Sequence, residues 1–141
     1  YIDCGGPNCE PCASEITWYN AGVQYFGDAT ASAEIVGGNL QITGVSLTGA
    51  QIGFVVAEPA DGWYNGYIIA LNPTSLPQAA AYTSTAGTNY TTLYGGNTTF
   101  SINYIDAVSG GYVVGTFNGS VMDAIGSATT LSQGSFQLNI N

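Results

Sequence analysis

The sequence predicts an all-β fold: an antiparallel β-sandwich, Ig-like or jelly-roll-like, preceded by a short Cys/Gly/Pro-rich N-terminal arm. Three observations predict it. Short apolar segments recur along the 141 residues and are punctuated by Gly, Asn, Asp and Pro, as strands joined by tight turns are. Several segments alternate apolar and polar residues, the period of a strand with one face in a core. No segment sustains the 3.6-residue period of an amphipathic helix, and the length suits a single domain.

Residues 1–15, YIDCGGPNCEPCASE, carry all three cysteines and two prolines without hydrophobic periodicity, and are read as an arm outside the core. Residues 16–141 then form one domain. Strands are expected at 16–19, 23–26, 31–36, 39–46 and 51–57, and again at 67–71, 79–84, 98–105, 111–120 and 133–140. Leu40 and Ile42, with Val45, are placed on one face, as are Phe100, Ile102 and Tyr104. At the end of the chain Phe136, Leu138 and Ile140 face one way and Gln137, Asn139 and Asn141 the other. Turns are expected at Asn20-Ala21-Gly22, Gly37-Gly38-Asn39, Asp61-Gly62, Asn65-Gly66, Gly95-Gly96-Asn97 and Gly110-Gly111, where the residue types tolerate positive φ. The stretch from Asn72 to Pro77 reads as a loop, and Leu76 to Tyr82 has room for a single helical turn beside the strand expected there.

Composition narrows function by exclusion. The chain has no Lys, Arg or His, and its nine carboxylates give a formal charge of −9. Side-chain salt bridges are therefore absent, and no basic patch exists to hold nucleic acid or an anionic bilayer. A basic partner or a cation such as Ca²⁺ is electrostatically compatible. Without His or Lys the usual general bases near neutral pH are missing, as is the partner of a catalytic Ser or Cys, so no enzyme is expected. Glu58 and Asp61 are the nearest approach to a catalytic carboxylate pair, and they share one turn-rich segment. No run approaches the roughly 20 apolar residues of a membrane-spanning helix. A first residue of Tyr rather than Met suggests a processed chain, exported behind a removed signal peptide to the extracellular space or cell surface.

Charged residues are 6% of the chain while apolar ones are 45%, so its surface is made mainly of hydroxyls and amides. Copies with such surfaces meet with little desolvation of charge. Cys4, Cys9 and Cys12 are spaced C-x4-C-x2-C, like the first three ligands of a plant-type ferredoxin, but the fourth cysteine is missing, and no cofactor or metal is expected. In an oxidising compartment an odd cysteine count favours one intrachain bridge and one thiol that can pair with another chain. The segment ADGWYNGY, residues 60–67, is expected to display Trp63, Tyr64 and Tyr67 from a loop, where aromatic rings can anchor an interface or stack on sugars. Asn89, Asn97 and Asn118 head N-x-[ST] triplets and mark surface loops.

The opening pair ITWYNAGVQYF, the NLQITG strand, the TNYTTLYGG segment and the closing GGYVVGTFNGSV and LSQGSFQLNIN give residues 16–141 a recognisable order. In that order the chain resembles uncharacterised secreted and lipoprotein β-domains of Bacteroidota. The resemblance implies an antiparallel β-domain exported to the envelope, with no catalytic residues to carry over. Cys4 follows Tyr-Ile-Asp, unlike the acylated cysteine of such lipoproteins, and the lysines common in that family are absent. The readings converge on an extracellular subunit whose partners are copies of itself, in a filament or layer held by sheet edges and the arm. The alternative is a monomeric surface module that binds glycans or protein through Trp63, Tyr64 and Tyr67.

Overall fold

The computed structural model describes residues 14–27, 31–56, 79–106 and 110–141, together with the backbone of 62–71. These form eleven strands: β1 (Glu15–Asn20), β2 (Val23–Phe26), β3 (Ser32–Val36), β4 (Asn39–Val45), β5 (Gln51–Val56), β6 (Gly62–Leu71), β7 (Ala79–Thr83), β8 (Asn89–Thr91), β9 (Thr98–Ile105), β10 (Tyr112–Met122) and β11 (Ala128–Asn139). Every strand pairing is antiparallel. The chain is thus all-β, as expected, and its strands form one continuous curled sheet.

The sheet has two arcs. One runs β2-β1-β11-β10-β9-β6 and the other β3-β4-β5-β7-β8. They join where Met122 of β10 pairs with Thr91 of β8. They meet again where Ala33 of β3 bridges Ile140 and accepts a 2.8 Å hydrogen bond from the Asn141 amide. Curling has a local cause in β11. Between Phe117↔Gly134 and Gly119↔Leu131 two residues of β11 oppose one of β10, and Gln133 takes a φ of +48°. The register against β1 shifts at the same place, between Thr17↔Ser135 and Tyr19↔Ser132. An extra residue of this kind adds right-handed twist and bends the strand, here at the centre of its arc.

The interior of the curl is filled from both arcs. Phe54 of β5 lies 4.6 Å from Phe117 and 5.2 Å from Phe100, ring centre to ring centre, and Phe100 stacks on Phe136 at 5.0 Å. Trp18 of β1 stacks on Tyr25 of β2 at 5.6 Å and meets Tyr82 of β7 edge-on at 6.1 Å. Ile16, Leu40, Ile42, Ile102, Ile105, Leu131 and Leu138 are among the other fully buried side chains. Burying a large apolar side chain contributes about 1.5–3 kcal/mol, so this interior is what holds a chain without side-chain ion pairs together.

Where sequence periodicity was clean, the faces agree: Leu40 with Ile42, and Phe136 with Leu138 and Ile140, all point inward. Three placements need correction. Val45 falls on the opposite face from Leu40 and Ile42, because Gly44 is the next inward residue. Tyr104 leaves the face of Phe100 and Ile102: Asn103 is extra in β9 between Val114↔Tyr104 and Gly115↔Ile102, so Ile105 turns inward instead. The single helical turn considered up to Tyr82 gives way to a strand from Ala79 onward, paired with both β5 and β8. Strand β8 was not foreseen, and β11 starts at Ala128 rather than residue 133.

Candidate functional site

Cys4, Cys9 and Cys12 of the expected arm lie outside the described residues, as do Glu58 and Asp61. Trp63, Tyr64 and Tyr67 belong to β6, so the display loop expected at 60–67 is replaced from Gly62 by strand backbone. Trp63 pairs with Tyr104 and Tyr67 with Ile102. Between those pairs three residues of β6 oppose one of β9, so the Asn65-Gly66 turn signal is absorbed as a bulge within a strand. Asn89, Asn97 and Asn118 are exposed, but Asn89 and Asn118 stand in strands rather than loops.

What the sequence did not single out is the edge strand β2. It is made by a two-residue hairpin turn, with Ala21 and Gly22 at φ of +51° and +78° and Asn20 paired with Val23. This turn matches the twist of the strands it joins. Strand β2 pairs with β1 alone among the described strands. The inner face of β2 is fixed by Tyr25, stacked on Trp18, and its outer face by Gln24, whose Oε1 accepts a 3.2 Å hydrogen bond from the Tyr19 hydroxyl. The Gly27 amide donates to the Ile16 carbonyl at 2.8 Å, so alternate residues turn toward β1. By the alternation of antiparallel ladders, the amides and carbonyls of Gln24 and Phe26 turn to the open side.

Beside this edge the turn between β4 and β5 brings up Ser46, Leu47 and Thr48. Together with Val23, Gln24, Tyr25 and Phe26 they line a cleft of about 160 Å³. Its apolar side chains are unusually bare: Leu47 is 93% exposed, Phe26 54% and Val23 52%. Among the described residues no carboxylate lines the cleft. Loss of apolar area from water would therefore be opposed by little desolvation of charge. A second feature lies on the outer face of the other arc. Ser32, Thr43, Gly53, Ala81 and Thr91 follow one another across five strands in register, above a shallow apolar groove of about 290 Å³ that Val55 and Leu93 also line.

Asp123 is engaged in its own turn, where Oδ1 accepts from the amides of Ser127 at 2.8 Å and Ile125 at 3.1 Å. Burial raises the Tyr82 phenol above its usual 10.0. The Trp18 indole N–H works against that shift, although Trp18 Nε1 and Tyr82 Oη do not meet hydrogen-bond geometry, and Tyr25 and Tyr90 add to it. Among the described residues no three acidic or sulfur ligands stand together as a metal site, and no helix is long and apolar enough to cross a membrane.

Fold and edge thus define a class: an all-β domain in which β2 is an edge among the described strands and carries no carboxylate in its four residues. Comparison of the chain with protein-family models, with curated proteins and with solved structures finds no match.

Proposed function

We propose that the protein is an extracellular, non-enzymatic structural subunit that assembles with copies of itself into a filament or surface layer. The observation that carries this is the β2 edge, with open backbone groups and the exposed residues Val23, Phe26 and Leu47 around one cleft. An exposed strand edge with apolar neighbours and no charge is a template for pairing with another chain unless something covers it. A net charge of −9 with no side-chain cation makes carboxylate-rich surfaces repel, and so leaves charge-free edges as the favourable contacts between copies.

The cysteine arm fits the same reading as a covalent reinforcement. Strand β1 begins at Glu15, and its residue Thr17 pairs with Phe26 at the end of β2. Cys12 therefore precedes the open edge by only a few residues, each spanning at most about 3.3–3.6 Å. In this reading the two arcs work as a β-sandwich of Ig-like or jelly-roll kind, and kinship with secreted Bacteroidota β-domains accounts for export. Light scattering and negative-stain microscopy of the native protein test it, with species many times the monomer mass expected. A monomer at all concentrations ends the proposal. Interchain disulfides would appear as a ladder on non-reducing gels that collapses on reduction.

The second reading, a monomeric module for glycans or protein, draws on the position of Trp63, Tyr64 and Tyr67 in β6, a strand paired with β9 alone among the described strands. Glycan arrays with the native protein and Trp63→Ala separate it from assembly.

A further inference from the structure

Strand order gives the proposed assembly a direction. The arc β2-β1-β11-β10-β9-β6 contains six strands, and every neighbouring pair in it is antiparallel. Its two end strands, β2 and β6, therefore run in opposite directions. If a second copy is placed beside the first in the same orientation, its β2 meets the first copy's β6 antiparallel. The pairing inside each arc then continues unbroken from copy to copy. An odd number of strands would have forced a parallel junction or a reversal.

The residue types of the two edge strands are compatible with this junction. Neither VQYF in β2 nor GWYNGYIIAL in β6 contains an ionisable carboxylate, in a chain whose nine acids have no side-chain cation to pair with. The ends also differ. Strand β2 has four residues beside a cleft walled by Leu47 and Thr48, whereas β6 has ten residues and a bulge. A four-residue edge beside a cleft and a ten-residue bulged edge are unlike surfaces, so a junction between them is head to tail.

We infer that the β2 edge and its Val23-Phe26-Leu47 cleft receive the β6 strand of a second copy, head to tail. This deepens the self-assembly reading and rests on it. The contact is heterologous, so it joins unlike surfaces, and repetition gives a fibre, or a ring where the rotation per copy closes, rather than a two-fold dimer. Each fibre has one end exposing β2 and one exposing β6.

Two blocked proteins test this. Phe26→Lys, with Leu47→Lys as the second variant at a fully exposed position, puts charge on the β2 edge. Asn65→Pro, with Asn65→Asp in reserve should the proline variant not fold, spoils the β6 edge at its bulge. Circular dichroism checks each fold, and sedimentation reads size. Each blocked protein alone is expected to be monomeric, and an equimolar mixture to form a dimer that grows no further, since it joins one intact β2 to one intact β6. A dimer from Phe26→Lys alone would show β6-to-β6 pairing, and a dimer from Asn65→Pro alone β2-to-β2 pairing; either overturns the inference. Full-length fibres from both variants would overturn it while leaving self-assembly standing. A monomeric wild type would remove both.

Discussion

Gly134 of β11 lies under the ring of Phe117 on β10, its direct partner in the ladder. A methyl group placed on Gly134 would fall 2.3 Å from Cε2 of that ring and 2.4 Å from Cδ2. Carbon atoms pack comfortably at about 3.5–4.0 Å, so the ring would have to retreat by more than about 1 Å. It has little room, since Phe117 is buried with Phe54 at 4.6 Å and Phe136 at 6.4 Å. Forced overpacking costs about 1–3 kcal/mol, and the entropy gained on replacing a strand glycine with alanine offsets about 0.5–1 kcal/mol. From the middle of each range, Gly134→Ala should therefore lose about 1 kcal/mol. The assay is urea unfolding at fixed protein concentration, where the midpoint falls and the slope is unchanged. Phe117→Leu lowers stability by itself but removes the obstructing ring. In that background Gly134→Ala should be neutral or stabilising, a coupling within the about 0.5–3 kcal/mol found for contacting residues. Equal losses in both backgrounds, or no loss in the wild type, would refute the packing argument.

Other predictions follow from single contacts. Tyr82 has its folded pKa raised, so the stability this gives is complete below its unfolded value of 10.0 and declines as pH rises through the folded value. Urea midpoints measured across that range should fall less steeply for Tyr82→Phe, which also removes an unpaired buried hydroxyl without loss at neutral pH. Asn20 donates from Nδ2 to Thr129 Oγ1 at 2.8 Å and to the Thr130 carbonyl at 2.9 Å, tying the first hairpin to β11. Asn20→Ala should cost about 1–3 kcal/mol in the same assay, and a neutral result would show that water replaces the amide. Gly119 combines a φ of +144° with an Asn97 carbonyl oxygen 2.3 Å from where a Cβ would stand. Gly119→Ala should lose about 3 kcal/mol and visibly lower the thermal midpoint, because what the methyl group meets is the Asn97–Thr98 backbone rather than a side chain that can swing away.

The hairpins were legible in sequence because their causes are local. Asn20-Ala21-Gly22 and Gly37-Gly38 specify tight turns by their own φ preferences, and NLQITG and SFQLNI specify an inward face by alternation alone. Reading failed where a bulge shifted that alternation, at Asn103 and at Asn65-Gly66. A single extra residue reverses every later side chain, and its insertion is decided by the partner strand. Strand β8 was missed for a related reason. Three residues carry no period of their own, and β8 exists because Tyr82↔Tyr90 and Met122↔Thr91 give it neighbours on both sides.

By itself, the sequence determined an all-β chain, its principal turns, and a charge pattern without side-chain cations. Those are properties of residue type and short spacing, and they survive any arrangement of the strands. Only the tertiary structure decided that VQYF ends an arc, that its edge stands next to Leu47 from a turn more than twenty residues away, and that β6 is the opposite end. An edge is defined by which strand is not beside it. That depends on long-range pairing, to which no local pattern in the sequence is sensitive.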